Sequence, residues 1–379
     1  MNATARQLTV PQPASDLQGL IASELAPRVT AIDLEGEYPE AFLRALGALG
    51  GFADAVAPEY GGSGRGLAAT IDTMATVAAT CLSTAFTHWC HTACARYIQL
   101  SDNADARGDL LPGLASGRLL GGTGLSNTLK SASGIEPFRL RARPVSGGYV
   151  VDGTLPWVSN LADEHVFVTG CPVTGDERLV FFVVQCNQPG FRLLDGAHFT
   201  ALEGTATRAC RFREVRIDAS RVLAPPARSL AYLRRIQPGL ILGQVGMALG
   251  LVRDCIRLVE EAGRTLSHVN VFESIQADTL AGRLEALERD VAVLAPEVDA
   301  ATRHDHRGDG EALRLRVLRC RLTAGELALE AAQAAMLHQG ARGYLRTATA
   351  QRRLREAYFI AIVTPALKHL RREIARLSG

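Results

Sequence analysis

The chain of 379 residues contains eight cysteines but no CxxC pair. Cys81, Cys90, Cys94, Cys171, Cys186, Cys210, Cys255 and Cys320 are scattered, and a chain of this length buries enough surface without covalent staples, so they are expected to be reduced, buried thiols. A surplus of one charge is also missing: 41 Lys and Arg face 39 Asp and Glu, for a formal net charge of +2. Such a balance builds no strong long-range field, which excludes nucleic acid or an anionic membrane as the expected partner and leaves a small-molecule substrate. No uninterrupted apolar run of about 18 residues occurs. The opening segment MNATARQLTVPQPASDL has no basic stretch followed by an apolar one, which sets the expectation of a cytoplasmic protein. Aromatic residues make up 6% of the chain, with only two tryptophans. One of these, Trp157, stands in VVDGTLPWVSN, where a strand-like run passes through a Pro-Trp step into Ser159 and Asn160.

With 47% hydrophobic and 21% charged side chains, the chain has the composition of a soluble protein with a substantial core. Three textures divide it. Residues 1–117 read as a helical domain, with apolar residues at helical spacing in YPEAFLRALGALGGF and in the long run AATIDTMATVAATCLSTAFTHWCHTACARYI. Residues 118–226 read as a β domain of short strands, among them FRLRARPV, YVVDG, HVFVTG, LVFFVVQ and RACRFREVRI. Residues 227–379 read as a bundle of four or five helices, on the seams Leu280, Leu284, Leu287, Val291, Leu294 and Leu318, Leu322, Gly325, Leu329, Ala332, Met336. The fold class is therefore α+β.

Two histidine clusters invite a metal reading. His88, Cys90, His91 and Cys94 hold zinc-type side chains, yet at about 100° per residue the His and Cys pairs are rotated by roughly 200° from one another. No metal site is expected there, and the residues read as part of a buried helix facing a core or a pocket. His304 and His306, in RHDHRGDGEA, read as a solvated turn.

Five segments, in order, carry a resemblance: VAPEYGGSG (56–64), LLPGLASGRLLGGTGLS (110–126), GYVVDGTLPWVSN (148–160), RFREVRIDASRVLA (211–224) and QGARGYLRTATAQRRLREA (339–357). Together they resemble the acyl-CoA dehydrogenase superfamily of flavoproteins over nearly the whole chain. The resemblance implies a helical domain, a barrel-like β domain and a helical bundle, bound FAD, a homodimer or homotetramer, and an acyl thioester among the candidate substrates. It implies that Trp157 packs against the flavin ring, that Ser159 brings a hydroxyl near N5, and that the backbone at Leu125 and Ser126 meets the pyrimidine edge. Plainer readings make Trp157 a core aromatic beside a bend and Ser159 a turn cap. Arg264, Gly340 and Gly343 fall where the family clamps the adenosine half of FAD from a neighbouring subunit. A guanidinium offers phosphate a planar fork of donors, although Arg264 also suits a solvated helix end.

Dehydrogenation of an acyl thioester requires a carboxylate to take the α-proton. The family places that Glu at one of two positions, which carry Thr364, followed by Pro365, and the pair Ile236 and Gln237 here. Neither holds a carboxylate. A flavin monooxygenase of the same fold, with His88 or His91 as pocket candidates, or a flavin- or ligand-binding protein without turnover, are the alternatives.

Overall fold

The computed structural model of the chain describes residues 13–303 and 310–378; His304 and His306 lie outside the described residues. Among the described residues six α-helices come first: α1 (Pro13–Leu20), α2 (Val29–Leu34), α3 (Glu40–Ala48), α4 (Gly66–Ala78), α5 (Leu82–Gln99) and α6 (Ala104–Ala115). The run from Ala68 to Ile98, with its apolar residues at helical spacing, forms two helices separated by residues 79–81. The last carbonyls of α4 are satisfied by side chains: Arg353 donates to Ala78 O at 3.0 Å and to Ala79 O, and Arg352 to Thr80 O at 3.2 Å. Cations at a helix C-terminus both complete hydrogen bonds and complement the helix dipole.

The middle of the chain forms two four-stranded sheets. One has the order β1 (Gly121–Thr123), β4 (Val166–Pro172), β5 (Leu179–Gln185), β8 (Val222–Ala224), with β1 parallel to β4. The other runs β2 (Leu140–Val145), β3 (Gly148–Val158), β7 (Arg208–Asp218), β6 (Phe191–Leu194), antiparallel throughout. A short helix, α7 (Leu125–Ala132), follows β1. Both faces of β4 and β5 are covered, so they read as continuous apolar runs. Phe167, Phe182, Phe191 and Phe212 fill the space between the sheets.

Six helices complete the chain: α8 (Ser229–Gly243), α9 (Val245–Asn270), α10 (Ala277–Arg303), α11 (Gly310–Gln339), α12 (Thr349–Ile362) and α13 (Leu367–Ser378). The α10 seam of Leu280, Leu284, Leu287, Val291 and Leu294 is buried throughout. α8 and α9 form the span Pro226–Asn270, whose most apolar stretch is long enough to cross a membrane, but 89% of it is buried inside the protein. It is a core helix. Gly250 on α9 explains the close approach of α4, because a Cβ there would meet Ala75 O at 2.2 Å. One apolar core joins the first helices to the last ones, while the sheets enclose a second. All eight cysteines are buried and unpaired.

Candidate functional site

The Pro-Trp step has a structural cause. β3 ends at Val158, and Asn160 turns the chain with φ of 64°, a conformation that asparagine tolerates better than most residues. The buried Asn160 amide fixes the turn, donating to Gly121 O at 2.7 Å and accepting from the Tyr38 hydroxyl at 2.7 Å. An isolated bridge between Thr123 and Ser159 then ties the end of β3 to the end of β1. Trp157 is 57% exposed, with Phe199 against its edge at a centroid distance of 6.4 Å. It is therefore not a core aromatic. Arg355 on α12 donates to Thr200 O, next to Phe199, at 2.7 Å. Tyr358 and Ile362, which share the Arg355 face of that helix at i+3 and i+7, are 60% and 68% exposed.

Ser159 does not cap a turn. Its hydroxyl meets Thr207 Oγ1 at 2.7 Å, and Thr207 meets Thr205 Oγ1 at 2.8 Å. Thr205 in turn donates to Leu202 O at 2.7 Å. A hydroxyl has one proton, so this chain runs in one direction: Thr205 gives its proton to the carbonyl, Thr207 to Thr205, and Ser159 to Thr207.

Leu125 and Ser126 open α7, whose capping residue Gly124 offers no side-chain acceptor to their N–H groups. The Ser126 hydroxyl reaches the hydroxyl of Thr364 at 2.8 Å. Thr364 is thus brought from 238 residues away in sequence to the start of α7. Behind it, Gln244 donates to Thr364 O at 2.9 Å and accepts from Arg321 Nε at 2.9 Å. Gln244 and Arg321 are completely buried.

Thr364 and Pro365 line a cavity of about 40 Å³ between α7, α8, α11 and α13, together with Gln237. The two positions at which a catalytic Glu is expected therefore converge on one space. Ile236, beside Gln237, points into the core instead, with no exposure. Among the described residues one carboxylate lines the cavity, Glu373, and it pairs with Arg314 at 3.0 Å and Arg376 at 3.3 Å. Glu356 is sealed between Arg352 and Arg353 at 3.0 and 2.8 Å.

The structure corrects the reading of His88 and His91 as pocket residues. Both are completely buried, and both pack against Phe52 with their rings tilted to it. His88 Nε2 pairs with Gly51 O at 3.1 Å, while His91 accepts from Gly121 N–H at 3.1 Å and donates to Leu114 O at 2.9 Å. Burial lowers their pKa values to about 4 and about 3. They are neutral core histidines.

Arg264 is exposed on α9 and carries no ion pair among the described residues. The turn after α11 is drawn to the same end of the bundle, because Asn270 donates to His338 O at 3.1 Å and Gln339 to Leu258 O at 3.2 Å. Gly340 has φ of 59° and open space where a Cβ would stand. Gly343 does not share that openness: a Cβ there would meet Gln339 at 2.9 Å and Ala350 at 3.2 Å, so its small size serves packing within the chain. Phe272, Tyr344 and Leu345 at this end are 85%, 82% and 63% exposed.

The model of the acyl-CoA dehydrogenase N-terminal domain matches residues 14–118. A probable acyl-CoA dehydrogenase of Mycobacterium leprae is 24% identical over 349 residues, covering 90% of this chain and 88% of that protein. Butyryl-CoA dehydrogenase from Megasphaera elsdenii superposes with a TM-score of 0.77 at 18% identity, over 99% of each chain. The FMN-bound dibenzothiophene monooxygenase of Paenibacillus sp. A11-2 superposes with a TM-score of 0.84 at 18% identity, over 96% of each chain.

Proposed function

Because this chain belongs to the acyl-CoA dehydrogenase superfamily, we propose that it is an FAD-dependent oxidoreductase whose substrate meets the flavin beside Thr364, and that it is a poor acyl-CoA dehydrogenase. The convergence of Gln237 and Thr364 on one cavity carries this reading. An amide takes no proton near neutrality, and a threonine hydroxyl is far too weak an acid to act as the α-proton base unaided. Glu373 is held by two arginines, and Glu356 is sealed in the core.

The residues present fit a flavin. Bound there, it supplies the two-electron acceptor or donor. The exposed face of Trp157, with Tyr358 and Ile362, offers the apolar wall that such a ring needs, and the first N–H groups of α7 offer donors to its pyrimidine edge. Arg264 and Gly340, at the far end of the bundle, suit the phosphates of FAD on an adjacent copy. The exposed Phe272, Tyr344 and Leu345 beside them form the surface that a second copy covers, in a homodimer or homotetramer.

A monooxygenase is the second reading. The likeness in fold to the FMN-bound monooxygenase favours it, as does the hydroxyl pair Ser126–Thr364, which holds protons at the substrate face without a carboxylate.

The absorption spectrum of the purified protein tests for the cofactor, and anaerobic mixing with saturated acyl-CoAs tests the chemistry. The parent is expected to bleach slowly or not at all, and the double variant Thr364→Glu with Pro365→Gly to bleach faster. Vigorous bleaching of the parent would overturn the reading. Oxygen consumption and a hydroxylated product on reduction by NAD(P)H would select the monooxygenase, whereas no response to either treatment would select a binding role.

A further inference from the structure

The walls of the cavity beside Thr364 are unusual in charge. Lys130 from α7, Arg314 from α11, and His369 and Arg372 from α13 all line it, against the single carboxylate of Glu373. Some of these cations are already engaged: Lys130 pairs with Glu136 at 2.8 Å, an Arg314 terminal nitrogen with Glu373, and Arg372 donates to Ser133 O at 3.1 Å. Arg314 Nε and His369 Nδ1, however, are buried without a hydrogen-bond partner among the described residues. Burial lowers the His369 pKa, and Lys368, Lys130 and Arg372 add to that effect. A buried N–H donor left unpaired is costly and marks a place where an acceptor belongs. The remaining walls are apolar, from Leu129, Ile135, Ile241, Leu318 and Leu370. The volume of about 40 Å³ holds a few waters or one compact oxyanion.

We propose that this cavity binds the anionic group, a carboxylate or phosphate, of a substrate whose remainder is apolar, with Arg314, Lys130 and Arg372 as the recognising cations. The anion gives the Arg314 Nε–H its acceptor and offsets the excess of positive charge; the volume admits only this headgroup, so the apolar part leaves the cavity past the leucine and isoleucine side chains that line it. Thr364, which also lines the cavity and is hydrogen-bonded to Ser126, then lies beside the bound headgroup. This assignment rests on the reading of the cavity as the substrate side of a flavin site, and it replaces an unspecified substrate with an anionic, amphipathic one.

Binding of three probes to the purified full-length chain, followed by calorimetry, tests the assignment: hexanoate, hexyl phosphate and hexan-1-ol. At least one of the anions is expected to bind about tenfold tighter than the alcohol, the size of one charge-assisted hydrogen bond. Whether hexanoate or hexyl phosphate binds better identifies the headgroup. Arg314→Gln is expected to remove the advantage of the anion. Because that substitution also releases Glu373, the exposed Arg372→Gln serves as the second variant, and it is expected to reduce the advantage while keeping the parent's melting temperature. Equal affinity for all three probes, no binding of either anion, or unchanged anion binding in both variants would overturn the proposal and leave water as the partner of Arg314. These outcomes are independent of flavin. Anion binding by a protein that takes up no flavin would sink the enzyme reading and keep the anion site, and a flavoprotein indifferent to the anions would do the reverse.

Discussion

Two arginines are completely buried in the helical core, Arg353 on α12 and Arg321 on α11, and their surroundings are opposite. Arg353 lies between Asp254 at 2.6 Å and Glu356 at 2.8 Å, and it spends its other donors on the carbonyls that end α4. Burial alone would lower its pKa, but Glu356 and Asp254 outweigh that effect and raise it. Arg321 pairs with no carboxylate among the described residues. It donates to the amide oxygen of Gln244 and to Ile360 O, its NH1 has no partner, and burial lowers its pKa to about 10. A neutralised arginine can staple two helices together, whereas an arginine held by an amide places a net charge where the fold needs none. That charge stands one amide away from the carbonyl of Thr364. The first arginine ties α12 to α9 and to the end of α4, and the second holds the amide that holds Thr364.

Removing the staple should have the larger effect. Arg353→Leu takes from the buried Asp254 and Glu356 the one guanidinium they share, leaving each a single arginine, Arg257 and Arg352, and it frees the carbonyls of Ala78 and Ala79, which is expected to cost about 3–5 kcal/mol in urea unfolding. A loss under about 1 kcal/mol would mean that the two arginines do not differ as described.

Acid separates the staple from its surroundings. Burial raises the pKa of Asp254, but Arg353 and Arg257 overcome that effect and hold it below the ordinary carboxylate value. Its contribution is therefore present above the unfolded value and is lost only as pH falls below it. The buried histidines respond earlier. Their folded pKa values of about 4 and about 3 lie below the ordinary 6.5, so the unfolded chain binds protons first and stability falls as pH drops below 6.5. The slope is about 1.4 kcal/mol per pH unit for each histidine, ending near pH 4 for His88 and near pH 3 for His91. Melting temperatures measured from pH 7 downwards should fall from about pH 6, and a His88→Asn variant should fall less steeply. A flat profile to pH 4 would show that these rings are not buried as neutral groups.

Arg321→Met should cost less than the loss of Arg353, about 1–3 kcal/mol, because it leaves an amide oxygen and a carbonyl unpaired but no carboxylate. Its signature should be functional: Gln244 loses its anchor, Thr364 loses its restraint, and one positive charge behind the cavity is removed while those that line it stay. The binding of hexanoate or hexyl phosphate should weaken in this variant. A variant as unstable as Arg353→Leu with unchanged anion binding would reverse the roles assigned to the two arginines.

Much of the fold was legible because it is periodic. The α10 seam, written at i, i+4 and i+7, is buried as its spacing requires. The strands of the sheets alternate or run apolar according to whether one face or two are covered. Features set by distant partners were not legible. The break between α4 and α5 depends on arginines some 270 residues further on, β1 is three residues of Gly-Gly-Thr without a pattern, and α7 is too short to show a period. Within the site, neither the exposure of Trp157 nor the contact of Thr364 with Ser126 can be read from local spacing. Nor can the silence of His88 and His91, because a histidine on a helix reads alike whether it meets a ligand or a backbone carbonyl. The cations of the cavity come from α7, α11 and α13, and no linear spacing connects them.

The smallest expected effect sharpens the contrast between fixed and mobile protons. Ser159 gives its proton to Thr207 in a hydroxyl chain that ends on Leu202 O, so towards any ligand its oxygen can only accept. With a flavin ring lying against Trp157 as proposed, that distinguishes the redox states, because N5 carries a hydrogen in the reduced ring and none in the oxidised one. Ser159→Ala is expected to cost about 0.5–1.5 kcal/mol of stability, the net contribution of one hydrogen bond. It should leave the affinity for oxidised flavin unchanged and weaken that for reduced flavin by up to about tenfold, as read by titration with and without oxygen. Weakening confined to the oxidised form would mean that the chain runs the other way, with Thr207 donating to Ser159 and Leu202 O given up. Equal affinities in parent and variant for both forms would place the Ser159 oxygen out of reach of the ring.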